Sequence, residues 1–322
     1  MARAKTLLGA EGTVHVVNLS GGFAGKGLEE QLADAKQSGY ATVFTNPDFR
    51  ELFRGPGAGT RMAAKVKQAV ELGARGVKIH KGLGLGYGTD DDHFIPVDDK
   101  GLDPLFDEAG KQGVPVSIHS GDPQAFWQPL TPANERFDEL RVHPGWSFAK
   151  HPVSWEQIFS QYERRVARHP KTIFIGVHFG NAPEEPERVG KMLDKYPNLY
   201  IDTAARVPEI GRVDARHDAA RMRAFFLKYQ DRILFGTDAG IGTDERDLML
   251  GSSGKDPPGP DDVVRFFDST WRWFETEEKN IPTPTPIQGR WNVDGVGLPD
   301  AVLEKVYWKN AAKLLGIKLP TQ

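Results

Sequence analysis

Residues 114–123 read VPVSIHSGDP, and the fold follows from how that stretch alternates. Val116 and Ile118 take one side, Ser117 and His119 the other, which is the period of two that a strand with two unlike faces requires. A Gly-Asp-Pro turn follows at once, so the polar side ends at a strand terminus. The same split recurs in GVKIH (76–80), where Val77 and Ile79 face helices and Lys78 and His80 point inward. In FIGVHFGN (174–181) the alternation predicts Ile175 and Val177 outward and His178 inward. In RILFGTD (232–238) Ile233 and Phe235 pack outward and Asp238 follows the C-terminal end of the strand.

Working outward, short Val-, Ile- and Phe-rich runs alternate with longer amphipathic segments, the βαβα order that builds a parallel sheet. Seven strands are expected, at 14–19, 41–45, 76–80, 115–119, 173–178, 199–202 and 233–235. Helix starts are marked by Asp103 as a cap with Pro104 in the first turn and by Ser154 with Gln157 as a capping box. Gly113 ends the first of these helices. The expected fold is α/β, a TIM-like (β/α)8 barrel formed by a single domain over 1–322, with long active-site loops at about 120–153 and 239–262. A closed barrel needs eight strands, so one is unaccounted for.

Composition narrows the function. With 41 basic and 44 acidic side chains the net charge is -3, which favours neither nucleic acid nor an anionic membrane surface as a partner. The absence of cysteine removes disulfides, thiolate metal sites and a thiol nucleophile, so any metal is held by His, Asp, Glu or modified Lys. Neither a secretion signal nor an apolar run long enough to span a membrane stands out, and a cytoplasmic location is expected, although a segment ahead of Met1 would change that. The partner expected is a small-molecule substrate, and homo-oligomer formation is left open.

Four strands would deliver Lys78 or His80, His119, His178 and Asp238 to one barrel mouth, where barrel enzymes place their chemistry. Two imidazoles and a carboxylate suit zinc or a similar divalent metal. Lys78 has three readings: a carboxylated bridging ligand, a cation for a substrate carboxylate, or the charge partner of Asp202, which is the preferred one. In the loop after His119, Trp127 is the pocket candidate among Phe126, Phe137 and Trp146. The aromatic residues Phe266, Phe267, Trp271, Trp273 and Phe274 recur at helical spacing and are read as core. The run from Leu298 to Ile317 is read as a helix closing the outer ring. His143, His151, His169 and His217 are read as surface residues, His15 is not favoured as a ligand, and GLGLGYG (82–88) is read as a mobile loop because it lacks the ending of a phosphate-binding loop.

Taken together, GARGVKIHKGLGLG (73–86), VSIHSGDP (116–123), GVHFGN (176–181) and RILFGTD (232–238) resemble the amidohydrolase-related family of metal-dependent hydrolases. The resemblance implies a metal held by a His-x-His pair on the first strand, a His on the fifth and an Asp on the eighth, with a His on the sixth. His119, His178 and Asp238 would match the fifth, sixth and eighth. No His-x-His pair lies near the N-terminus, and HVVNLSGG (15–22) is more similar to the second strand of the family. On that alignment the first strand and its ligands are missing, through divergence, a shortened gene reading or an expressed fragment.

Three functions follow. The first is a hydrolase acting on a small-molecule amide, ester or lactone, with Asp238 as proton shuttle and His178 polarising the carbonyl or joining the metal shell. The second is a metal-dependent decarboxylase, a lyase, in which Lys78 or Arg206 holds the substrate carboxylate. The third is a metal-free, non-catalytic barrel.

Overall fold

The computed structural model describes residues 15–22, 27–88, 93–240, 249–250 and 260–317. All seven expected strands form, each shortened at its ends: β1 (Val16–Asn18), β2 (Ala41–Val43), β3 (Val77–Ile79), β4 (Val116–Ile118), β5 (Phe174–Gly176), β6 (Leu199–Asp202) and β7 (Ile233–Leu234). They are parallel and lie in chain order: β1 pairs β2, a Thr45–Val77 bridge carries the ladder to β3, and β3 to β7 form one sheet. Such a sequential parallel ladder is the wall of a (β/α) barrel.

Helices between the strands supply the outer layer. Among them are α1 (Leu28–Ser38), α2 (Ala58–Leu72), α3 (Asp103–Gln112), α4 (Phe137–Val142), α5 (Trp155–Arg168), α6 (Pro186–Lys195), α7 (Val207–Gly211) and α8 (Ala219–Tyr229). The Ser154–Gln157 capping box is present in full at the start of α5. Gly113 ends α3 in the left-handed conformation, as expected. Asp103, by contrast, is the first helical residue and not the cap; its carboxylate receives Arg165 and Arg168 from α5. Ion pairing to the neighbouring helix wins over local capping there.

Register fixes the two faces. Val77, Val116, Phe174 and Leu199 are partners in one row and all join the helix-side core. Lys78, Ser117, Ile175 and Tyr200 form the next row and face the interior. Ile175 therefore points inward, against the expectation, where it packs with Phe44 and Leu234. The alternation in β5 was misread because Gly176 supplies no side chain to mark the outward row.

Among the described residues no eighth parallel strand joins β7 to β1. The C-terminal segment crosses this open side: α9 (Pro260–Glu275) comes first, then α10 (Asp300–Glu304), one π-helical turn (Lys305–Lys309) and α11 (Asn310–Leu315). The Phe235 N–H at the end of β7 donates to Val306 O at 2.9 Å, so a helix carbonyl satisfies a strand donor that an eighth strand would otherwise take. Asn310 Nδ2 adds a bond to Ile233 O at 2.8 Å. Ala311, Leu314 and Leu315 then pack on the inward cluster of Phe44, Ile175 and Leu234, which Val17 and Leu19 of the β1 segment also meet. The terminal helix is thus a plug across the gap and not only part of the outer ring. Phe44 leaves so little room that a Cβ on Gly76 would sit 2.4 Å from its ring. The aromatic face of α9 is core as expected, with Phe266, Trp271, Trp273 and Phe274 buried.

Two other expectations are corrected here. The GLGLGYG run is not an open loop: Leu83, Gly84 and Leu85 are buried, and Gly84, at φ 96, meets Ile158 so closely that a Cβ would lie 2.3 Å from it. Of the histidines read as surface, His169 and His217 are buried among ion-pair partners, and His151 bonds Leu85 O at 3.1 Å; only His143, stacked on Trp146, keeps a rim position. The 239–262 loop lies mostly outside the described residues, within which β8 (Ala239–Gly240) pairs antiparallel with β9 (Met249–Leu250). No helix of the described residues is long and apolar enough to cross a membrane.

His217 yields a stability prediction. Its Nε2 lies 2.8 Å from Pro183 O and its Nδ1 2.9 Å from Asp214 Oδ1. Burial pushes the Asp214 carboxyl up, but the Arg216 and His217 backbone donors and the His217 ring outweigh it, and its pKa falls to about 2. Because the folded value lies below the unfolded one, the stabilisation is complete above about pH 4 and drains as pH falls toward 2. Asp214→Asn should lose the part of the Tm-against-pH slope that falls in this window; an unchanged slope would refute the assignment.

Candidate active site at the barrel mouth

The chemistry gathers where β3 to β7 end. Of the six non-glycine residues with positive φ among the described residues, five lie just past these strands: His178, Phe179 and Asn181 after β5, Ala205 after β6 and Asp238 after β7. Strain of this kind concentrates where function over-determines the backbone. It also explains how His178 enters the mouth. The β5 alternation is broken by left-handed residues at φ 55 and 58, which swing the imidazole inward.

His178 is then held at three points. Its N–H donates to Asp202 Oδ1 at 2.8 Å, its Nδ1 lies 2.9 Å from Ala204 O, and its ring meets that of His119 edge-on at 4.5 Å between centroids. A carbonyl only accepts, so Nδ1 carries the proton and Nε2 keeps its lone pair. Burial, reinforced by the charge of Arg206, keeps the His178 pKa well below the ordinary imidazole value. Asp202 also accepts from Ala204 N, and burial raises its pKa to about 6 against the pull of Lys78.

His119 stands at the end of β4. Its Nε2 is buried, 3.3 Å from Asp122 Oδ1, and makes no well-aligned hydrogen bond. Burial lowers its pKa too. Asp122 Oδ2 accepts from Lys81 Nζ at 2.6 Å, and although burial acts to raise this carboxyl, Lys81 and His119 hold it well below the usual carboxylate range. The Lys81 ammonium lies 5.3 Å from the Trp146 ring and 5.9 Å from that of Phe148, a cation–π arrangement. Asn181 ties the two strand ends together, accepting from Ser120 N at 2.9 Å and reaching Ile118 O at 3.3 Å.

Lys78 points into the barrel as expected and is buried; burial brings its pKa down to about 8, while the carboxylates of Asp202 and Asp238 act the other way. No ion pair joins Lys78 to Asp202 among the described residues, so the two charges act on each other only through the field. His80 stands at the rim, its Nε2 3.5 Å from Asn46 Nδ2, and the loss of water around its ring, with the charges of Lys78 and His119, lowers its pKa. Asp238 is exposed at the end of the β7 segment, at φ 57. Arg206 is buried, close enough for its charge to act on His178. Trp127 is committed to packing: Nε1 donates to Val153 O at 2.8 Å and the ring lies 4.7 Å from Phe148, so Trp146 is the aromatic nearer the charged groups. His15 bonds Thr42 Oγ1 at 2.6 Å, away from the mouth set.

The donors fit a divalent ion in kind: two neutral imidazoles in contact, one orphaned buried ring nitrogen, one free ring nitrogen and a nearby carboxylate. Their placement is looser, since no group of three or more His, Asp or Glu side chains among the described residues is set to hold a metal. Sequence reading passed over Lys81 and the special position of Asp122, although the H-x-x-D spacing of 119–122 was a usable signal.

Comparison with known proteins agrees with this architecture. The family model described as amidohydrolase matches residues 16–317. A TIM-barrel protein of Bordetella bronchiseptica is 15% identical, over 97% of this chain and 80% of that one, with a TM-score of 0.49. A candidate amidohydrolase from Staphylococcus aureus is 18% identical over 90% of this chain and 78% of its own, with a TM-score of 0.50. A dihydroxybenzoic acid decarboxylase from Polaromonas sp. JS666, with bound manganese and the inhibitor 2-nitroresorcinol, is 15% identical over 90% and 73%, with a TM-score of 0.51. No curated protein matches the chain. Its strand order and a family match running over nearly its whole length make one statement: the chain belongs to the amidohydrolase family.

Proposed function

We propose that the protein is a metal-dependent hydrolase of this family, acting on a small-molecule amide, ester or lactone. The observation that carries the reading is His178, pinned through Nδ1 and its own N–H so that Nε2 faces away from Ala204 as a free base, with the neutral His119 ring against it. His119, His178 and Asp238 would hold the ion, zinc or a similar divalent metal. When bound, such an ion polarises a carbonyl oxygen and makes water acidic near neutral pH.

The remaining steps belong to the chain. Asp238, at the strand end, takes the proton from the attacking water and passes it to the leaving group. Lys78 balances the Asp202 and Asp238 carboxylates, and Trp146 and Phe148 cover Lys81 at the rim. A second reading, a decarboxylase, is supported by the buried cations Lys78 and Arg206 at the mouth, and the Polaromonas decarboxylase shares the fold. A screen of amides, esters and lactones against aromatic carboxylates separates the two: carbon dioxide release without addition of water marks the lyase.

Metal affinity provides an independent test. With few ligands gathered, the ion should bind weakly and leave on dialysis, as an open site predicts. Metal analysis before and after a chelator wash measures this; stoichiometric zinc surviving the wash would refute weak binding. His119→Ala and His178→Ala should each lower the zinc affinity measured by calorimetry, whatever the substrate is.

A further inference from the structure

The stretch between α9 and α10 folds back against the end of α7. Ile281 and Val293 exchange backbone hydrogen bonds at 2.8 and 2.9 Å, the Asp294 N–H donates to Gly211 O at 2.9 Å, and Trp291 Nε1 donates to Pro208 O at 2.8 Å. Gly211 makes this closeness possible, since a Cβ there would lie 2.8 Å from Val293 Cβ. Between the two segments an open cavity of about 550 Å³ remains, lined by Arg212 and Asp214 on one side and by Asn280, Trp291, Asn292 and Asp294 on the other. Its volume lies within the range of small-ligand sites, roughly 300–1,000 Å³, and none of these residues belongs to the barrel-mouth set.

The lining is polar, yet its charges are already paired. Arg212 is shared by Glu135 and Asp214, and Asp214 Oδ1 also accepts from the His217 N–H at 2.8 Å. Asp294 Oδ1 accepts from the Asn280 N–H at 3.0 Å, while its Oδ2 lies 3.2 Å from Lys279 Nζ. A charged ligand would find no spare counter-charge there and would lose water without compensation. What is left over is neutral. Asn292 Nδ2 donates to Asn280 Oδ1 at 2.9 Å, and among the described residues the outer atoms of this pair, Asn292 Oδ1 and Asn280 Nδ2, have no partner. One accepts and the other donates. Beside them the Trp291 indole is held in place: the Arg212 guanidinium lies 5.3 Å from a ring centroid, and a Cβ on Gly289 would sit 2.1 Å from the ring edge.

We propose that this cavity is a binding site for a neutral polyhydroxylated ring, a monosaccharide or cyclic polyol. Each hydroxyl of such a ring both donates and accepts, so two neighbouring hydroxyls satisfy Asn292 Oδ1 and Asn280 Nδ2 together. The C–H groups of the ring supply apolar surface for the part of the indole that lines the cavity. A purely apolar ligand would leave both amides without water or partner, and an ion would meet groups that already hold theirs. Because the cavity is open, its affinity is low, in the millimolar range that a few hydrogen bonds and one ring contact provide. The site is independent of the hydrolytic reading and draws on none of its residues.

The test uses the full chain labelled with fluorotryptophan and reads the Trp291 signal by fluorine NMR, identified by its loss in Trp291→Phe. The probes are D-glucose, D-galactose, D-mannose, D-xylose and myo-inositol, with D-glucuronate, D-glucosamine and N-methylacetamide as anionic, cationic and amide controls. At least one neutral probe should shift the signal saturably, and at lower concentration than every control. Asn280→Gly and Asn292→Ala should each raise its Kd about threefold to tenfold, the effect of losing one hydrogen bond. Both replacements spare the fold, because glycine suits φ 61 and Asn292 is exposed. A Trp291 signal that no neutral probe shifts at about 100 mM, far above a millimolar Kd, overturns the site. A control that binds as tightly overturns the ligand class, and a Kd unchanged in either asparagine variant overturns the role of the pair.

Discussion

Asp238→Asn should leave the protein folded and reduce turnover of a verified substrate by about 10²- to 10⁴-fold, the usual effect of removing a positioned general base. The structure favours this substitution as a clean test. Asp238 sits at φ 57, a conformation that asparagine tolerates about as well as aspartate, and its side chain is exposed, so nothing must repack. The change removes one negative charge facing Lys78 and Arg206. His143→Ala, at a rim position stacked on Trp146, should change the rate little. Steady-state kinetics on both variants decide the matter. Full activity in Asp238→Asn would remove Asp238 from the proton path, and unfolding would make it a structural strand-end residue.

Much of this site was legible because parity in a parallel strand is a one-dimensional property. Val77 and Ile79 against Lys78, and Val116 and Ile118 against Ser117, needed only the period of two, and both strands obey it. The seven strands were found for the same reason. The parity argument failed in β5, where Gly176 hides the outward row and left-handed residues re-aim His178; the inward position of the histidine was expected, but the route to it was not. Buried polar networks were not legible at all. His169 and His217 look like loop histidines beside charged residues, yet each is buried by partners far along the chain, such as Pro183 for His217. Arg136 pairs with Glu139 three residues on, but its other mate is Glu209, 73 residues away (209 minus 136), and no local pattern joins those two. Trp127 drew attention by its size, while Trp146 acquired its place from Lys81, which belongs to a different strand end.

The plug between β7 and β1 carries the largest stability prediction, because among the described residues no eighth strand covers the inward cluster there. Phe44 is fully buried at the centre of the inward cluster, in contact with Ile175 and Leu234 from β5 and β7. The same cluster receives Val17 and Leu19 from the β1 side and Ala311, Leu314 and Leu315 from α11. One ring thus joins both edges of the open ladder to the helix between them. Phe44→Ala should cost about 3–5 kcal/mol, the range for a buried aromatic whose cavity cannot collapse. Collapse is opposed here because Gly76 already lies beneath the ring and offers no side chain to refill the space. Leu315→Ala should cost less, since Leu315 is only partly buried. Urea unfolding followed by tryptophan fluorescence measures both, and hydrogen exchange along 305–317 should rise in Phe44→Ala before it rises in β4 or β5. A loss under about 1 kcal/mol for Phe44→Ala, with exchange in α11 unchanged, would mean that the helix is fastened by its outer contacts alone and that the inward cluster does not close the barrel.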